Sequence, residues 1–309
     1  MSELKLAVPW GHIAAKIWGP QQGSPVLCLH GWLDNANSFD RLIPLLPKDF
    51  HYVAMDFGGH GLSSHYSPGF PYYHQNFVTE VRRVVAGKRQ RPRLLFLFYS
   101  FFPFCVTSQF SCIFPEMVDK LILLDSSPFV LDTNEVESML SYKRRAIEHT
   151  LQLEASNKPS KVVSPQEMLQ GWVLLKNNSH VGEECGALLL QRGTTPVAAG
   201  LVMNRDRRIS WPEQSFEFIS RELFVHAIKQ LQARVLLIKA AQGFYNVRRE
   251  NDADKEPMQF VTSTLRSILQ ERFQYVEVPG NHYVHLNQPQ HVAGVISSFL
   301  QSKAIPAQL

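Results

Sequence analysis

The chain has 309 residues, enough for one large α/β domain with an insertion or for two ordinary domains. Hydrophobic residues make up 45% and charged residues 19%, the balance of a globular protein with a sizeable core. The net charge of +4 is spread along the chain, and the one basic cluster, Lys88-Arg89-Gln90-Arg91-Pro92-Arg93, has no interleaved aromatics, which excludes nucleic acid as the expected partner.

Taken in chain order, Leu4, Leu6 and Val8, then Ile13, Ala15 and Ile17, alternate as two strands should. Pro25 opens the apolar run Val26–Leu29, the pattern of a strand buried on both faces. Phe39, Leu42, Ile43 and Leu46 predict a helix over Asn35–Leu46, and Tyr52–Met55 the next buried strand. Phe77, Val78, Val81, Val84 and Val85 recur at helical spacing. Leu94–Phe98 reads as a bulky central strand, and Lys120–Asp125, Arg234–Lys239 and Phe273–Val278 as further buried strands. Helices are predicted over Pro257–Leu269 and Gln288–Phe299. Strands alternating with helices imply a parallel, doubly wound sheet. Between Phe129 and Arg221 the rhythm breaks into helical patterns such as Asn134–Thr150 and Pro165–Lys176, which predict a helical insertion over the strand ends.

Cys28, Cys105, Cys112 and Cys185 have no metal-ligand spacing and are too few to staple a small secreted scaffold, so reduced thiols are expected, with no metal and no cofactor. The first thirty residues lack the build of a secretory signal, and a cytoplasmic location is expected. The C-terminal Ala307-Gln308-Leu309 is a faint echo of a peroxisomal address without its basic middle residue. Leu94–Pro115 carries no charge over 22 residues, yet Pro103, Thr107, Ser108 and Gln109 argue against a membrane span there.

Two loops carry the chemistry. His30-Gly31-Trp32-Leu33-Asp34 follows the strand ending at Leu29, and Asp56-Phe57-Gly58-Gly59-His60-Gly61-Leu62-Ser63 follows the strand ending at Met55. Near the C-terminus, Pro279-Gly280-Asn281-His282 follows another strand. With these motifs the chain resembles the α/β-hydrolase superfamily, and within it the mammalian-type serine hydrolase-like proteins, from Ser2 to Ala86 and from Phe110 to the C-terminus. The resemblance implies an α/β-hydrolase fold with core segments 1–128 and 222–309, a helical lid over 129–221, and a small-molecule acyl substrate or ligand. It implies an oxyanion corner at His30, Gly31 and Trp32, where backbone N–H groups meet the oxygen that turns negative in acyl transfer. It makes His282 the general base. It leads to the expectation that Asp56, His60 and Ser63 organise their own loop and that His285 packs or hydrogen-bonds.

The family's G-x-S-x-G turn is missing. That turn presents serine in a cramped conformation whose flanks must be glycine. Here the interval reads Phe98-Tyr99-Ser100-Phe101-Phe102-Pro103. Ser100 is the serine nearest the elbow position, and its bulky flanks argue against a working nucleophile; Pro103 would block the following helix unless it fell in the first turn. The pyrimidine-rich codons of Phe, Ser, Pro, Leu, Tyr and Cys lead to the further expectation that Gly87–Gln109 is translated intron. The acid is unsettled as well. The family's aspartate position holds Asn246, after Gly243-Phe244-Tyr245. An asparagine there costs ~10⁴ in rate through the wrong histidine tautomer. Asp125, ending the strand Leu121–Leu124, reads equally as a substitute acid or as a turn cap, and Asp252 and Asp254 read as solvated loop charges. Two functions stay open: an impaired serine hydrolase of a small ester, thioester or amide, and an inactive, ligand-binding hydrolase fold.

Overall fold

The computed structural model describes residues 1–86, 94–99, 101–126, 133–156, 161–175, 181–210, 219–245 and 253–302. Its centre is an eight-stranded sheet. β1 (Ser2–Val8), β2 (Gly11–Trp18), β3 (Ser24–Leu29), β4 (Phe50–Met55), β5 (Leu94–Tyr99), β6 (Val118–Leu124), β9 (Arg234–Gln242) and β10 (Phe273–Asn281) lie in the order β1-β2-β4-β3-β5-β6-β9-β10. β1 and β2 run antiparallel at one edge, β2 pairs antiparallel with β4, and every later pair is parallel. This is the mostly parallel, doubly wound sheet expected from the alternation of strands and helices.

Strand residues alternate between two cores because successive side chains point to opposite faces. Leu27, Leu29, Phe96, Phe98, Leu121, Leu123, Val235 and Leu237 meet α1 (His74–Ala86), α2 (Phe101–Ile113), α6 (Arg221–Gln230) and α7 (Glu256–Leu269) on one face. Val26, Cys28, Leu95, Leu97, Ile122, Leu124, Leu236 and Ile238 meet α5 (Glu183–Gly193), α8 (Val284–Asn287) and α9 (Gln290–Gln301) on the other. Burying each such side chain contributes about 1.5–3 kcal/mol. The thiols of Cys28, Cys112 and Cys185 are free.

One expectation changes. The Asn35–Leu46 stretch is two short 3₁₀ turns, Ala36–Phe39 and Ile43–Leu45, rather than one helix. Asn35 caps the first, its side chain accepting from the Asn37 N–H at 3.0 Å, and Pro44 cannot donate the N–H that an interior helical turn requires. Within Leu94–Pro115, argued above not to be a span, Leu94–Tyr99 is the expected strand and Phe101–Ile113 a 13-residue helix, with Pro103 in its first turn, where its missing donor costs nothing. Phe96 and Phe110 pack edge-on there, ring centroids 5.5 Å apart. Among the described residues no helix is long and apolar enough to cross a membrane.

Between β6 and β9 the chain forms α3 (Thr133–Ala155), α4 (Pro165–Leu175), α5, a hairpin of β7 (Thr194–Val197) and β8 (Gly200–Met203), and α6. Periodicity gave α3 and α4; the short, half-exposed hairpin has too few apolar residues to announce itself.

Candidate active site

The C-terminal ends of parallel strands form the crevice where such sheets bind ligands, and the loops singled out in the sequence meet there. Asp125 follows β6 directly with φ of +42°, a left-handed conformation costing a non-glycine residue roughly 1–2 kcal/mol. Its own N–H donates to the Ile238 carbonyl on β9 at 2.7 Å, locking the turn against the neighbouring strand. His282 stands after β10, behind Gly280 at φ +128°; a Cβ on Gly280 would lie 2.8 Å from Val284 Cγ2. Across 157 residues of sequence, His282 Nδ1 meets Asp125 Oδ2 at 2.6 Å. Both side chains are buried.

A carboxylate accepts only, so the proton of this contact sits on His282 Nδ1. Asp125 Oδ1 accepts from the Ala240 N–H at 3.1 Å and from Lys239 Nζ. Burial pushes the Asp125 carboxyl up, but the hydrogen bond and charge of His282, with Lys239 behind them, more than offset this and hold it below the ordinary carboxylate range. The Phe244 ring lies 5.1 Å from the imidazole and Tyr283 packs edge-on at 5.6 Å, giving the ring aromatic neighbours.

The loop after β3 comes to the same place. His30 Nδ1 donates to the Gly31 carbonyl at 2.8 Å while its Nε2 accepts the Phe57 N–H at 3.1 Å, so one buried ring ties the turn after β3 to the turn after β4. Leu33 at φ +64° and the Asp34 N–H on the Gly31 carbonyl, 3.0 Å, fold Gly31-Trp32-Leu33 into a tight bend. The Tyr283 hydroxyl donates to Asp34 Oδ2 at 3.2 Å, so the residue after His282 anchors this bend.

The structure places the remaining expectations as follows. Asp56 accepts from the Ala36 N–H at 2.8 Å and the Leu62 N–H at 2.9 Å, Ser63 Oγ donates to the Asp56 carbonyl, and His60 Nδ1 bonds the Gly58 carbonyl, so this loop organises itself as expected. His285 is fully buried and stacks on Tyr283; burial, then the neighbouring His282, pushes its pKa well below the usual histidine value. Asp254 accepts from the Glu256 N–H at the start of α7. Ser100, between β5 and α2 in the chain, and Asn246 lie outside the described residues, as does Asp252. Lys239 and Tyr283 were missed. A lysine ending the apolar strand Val235-Leu236-Leu237-Ile238 was the available signal for the first, and nothing marked the second.

The model of the alpha/beta hydrolase fold family matches residues 24–289. The chain belongs to the α/β-hydrolase family. Serine hydrolase-like protein of Mus musculus is 69% identical over 301 residues, 97% of this chain and 96% of the mouse protein. Serine hydrolase-like protein 2 of Homo sapiens is 64% identical over 310 residues, all of this chain and 97% of the human one. Among solved α/β-hydrolase-like structures, a hypothetical protein from Pseudomonas aeruginosa PAO1 is 27% identical with a TM-score of 0.79, covering 98% of this chain and 100% of its own. The thioesterase domain of the curacin biosynthetic pathway superposes with a TM-score of 0.78 at 21% identity, over 98% of this chain and 99% of its own, a likeness of fold.

Proposed function

We propose that this α/β-hydrolase is a serine-hydrolase-type enzyme for a small, largely apolar acyl ester, thioester or amide, with base and acid in place and its nucleophile turn impaired. The observation that carries this reading is the 2.6 Å contact between His282 Nδ1 and Asp125 Oδ2 at the ends of two strands. Asp125 is then the acid, and the Asn246 substitution is bypassed. In the reaction His282 Nε2 takes the Ser100 hydroxyl proton as Oγ attacks the acyl carbon, and Asp125 stabilises the imidazolium without accepting its proton. The Gly31–Trp32 bend supplies the Trp32 N–H to the oxyanion. The aromatic neighbours Phe244 and Tyr283 favour an apolar acyl group, and the lid role implied for the insertion falls to its described helices α3, α4 and α5.

The weak point of this arrangement is Ser100. A second reading, a ligand-binding fold without turnover, rests on the bulky residues around it: without glycine at positions 98 and 102 the hydroxyl is not thrust toward the imidazole.

A fluorophosphonate probe tests both. The natural chain is expected to label weakly or not at all. The variant Phe98→Gly/Phe102→Gly/Pro103→Gly is expected to label strongly and to lose labelling when Ser100→Ala is added. Strong labelling of the natural chain that survives Ser100→Ala places the nucleophile elsewhere. A folded elbow variant that never labels removes His282 from the role of base.

A further inference from the structure

The Asp125 carboxylate serves two partners. Oδ2 takes His282, and Oδ1 takes the ammonium of Lys239, whose side chain is 1% exposed. Lys239 Nζ also donates to the Phe244 carbonyl at 2.7 Å and lies 4.5 Å from the centroid of the Tyr245 ring. The Ala240 N–H already holds Oδ1 from the adjacent residue, and Asp125's own N–H is pinned to β9. Orientation of the carboxylate is therefore supplied without the lysine. What the lysine adds is a positive charge, at the desolvation cost that every buried ammonium carries.

We propose that Lys239 is a positioning residue of this site: it grips the Asp125 carboxylate opposite His282 and discounts its negative charge, so that the imidazole rests neutral, with its proton on Nδ1. This rests on the reading of Asp125 and His282 as the acid–base pair and adds to it. An unshared buried aspartate would favour imidazolium, which cannot act as a base. With its charge divided between two partners, the aspartate still orients the ring. Its attraction for an imidazolium proton is reduced.

Among the described residues, these groups face the pair. His282 faces Asp125 from β6, Lys239 beyond it on β9, and the buried His285 of α8, with Tyr283 beside it. Lys239 has Glu277 as its register neighbour on β10, with Tyr275 two residues earlier, and Tyr245 between it and Lys255, whose Nζ lies 4.4 Å from the same ring.

The test is the titration of His282 by NMR in the full chain, its signal assigned through His282→Gln. Lys239→Met is expected to raise the midpoint by about one pH unit, and Lys239→Arg to leave it near that of the natural protein. If Lys239→Met does not fold, Asp125→Asn is compared with Asp125→Asn/Lys239→Met. The single variant leaves the ammonium unopposed, and its midpoint is expected about one unit below that of the double. A midpoint indifferent to the lysine in whichever comparison folds overturns the proposal and leaves Lys239 a packing residue. The readout needs no nucleophile. An elbow variant that fails to label while the midpoint moves sinks the proposed function and spares this inference.

Discussion

At the scale of single residues, the site is built from tight fits around one carboxylate. Gly243 has an ordinary backbone, yet a Cβ there would lie 2.2 Å from both Asp125 carboxylate oxygens. Gly243→Ala is expected to push that carboxylate aside, destabilising the protein by roughly 1–3 kcal/mol. The same variant is expected to lengthen the His282 contact, checked by a chemical melt together with the loss of the downfield Nδ1 proton signal. Unchanged stability and an unchanged proton signal would mean that the loop at Gly243 yields freely. His282 was singled out through the family resemblance carried by Pro279-Gly280-Asn281-His282, since a lone loop histidine alone marks nothing. Asp125 was half legible: a strand-ending aspartate caps or catalyses, and only the fold, by bringing β6 and β10 to either side of β9, decides what it meets. Lys239 could not be assigned a partner from sequence, because the partner is 114 residues away.

At the scale of elements, helix α1 reaches into the loop after β4 through Glu80. This fully buried carboxylate accepts the Tyr66 hydroxyl at 2.5 Å and the Gly58 N–H at 3.0 Å, and burial raises its pKa to about 7 despite both bonds. The folded value lies above the unfolded one, so the ionised form is the one the fold disfavours. Stability from this group is complete below the unfolded value near 4.5 and is lost as pH rises through about 7, by up to roughly 3 kcal/mol. Glu80→Gln keeps an acceptor for Gly58 and has nothing to ionise. Its urea midpoint is expected to lose the decline that the natural chain shows between about pH 5 and 8. Parallel pH dependence in both chains would assign the decline to other groups. Elements with sustained periodicity were legible, as α1, α7 and the buried strands attest. The 3₁₀ turns around Pro44 were not, because apolar spacing alone cannot tell a helix from two turns joined by a proline.

For the whole molecule, Arg192 is one of the side chains that bolt the segment between β6 and β9 to the core. Arg192, ending α5, donates from Nε to Asp56 at 2.8 Å and from both terminal nitrogens to Glu3 at 2.7 and 3.1 Å. Asp56 in turn holds the backbone of Ala36 and Leu62 beside the site. Arg192→Met strands a fully buried carboxylate and is expected to cost about 3–5 kcal/mol, with Asp56→Asn/Arg192→Met recovering part of it. Equal melting temperatures for the natural chain and Arg192→Met would show the bolt to be idle. The doubly wound sheet was legible from the alternation of strands and helices. The bolt was not, since no pattern within one sequence links residue 3 to residue 192. That span has a consequence for biosynthesis. At about 5–20 residues per second, Glu3 leaves the ribosome roughly 10–40 s before Arg192 follows. For that interval β1 is an edge strand without its anchor, and nascent chains are most open to chaperone capture or mispairing there.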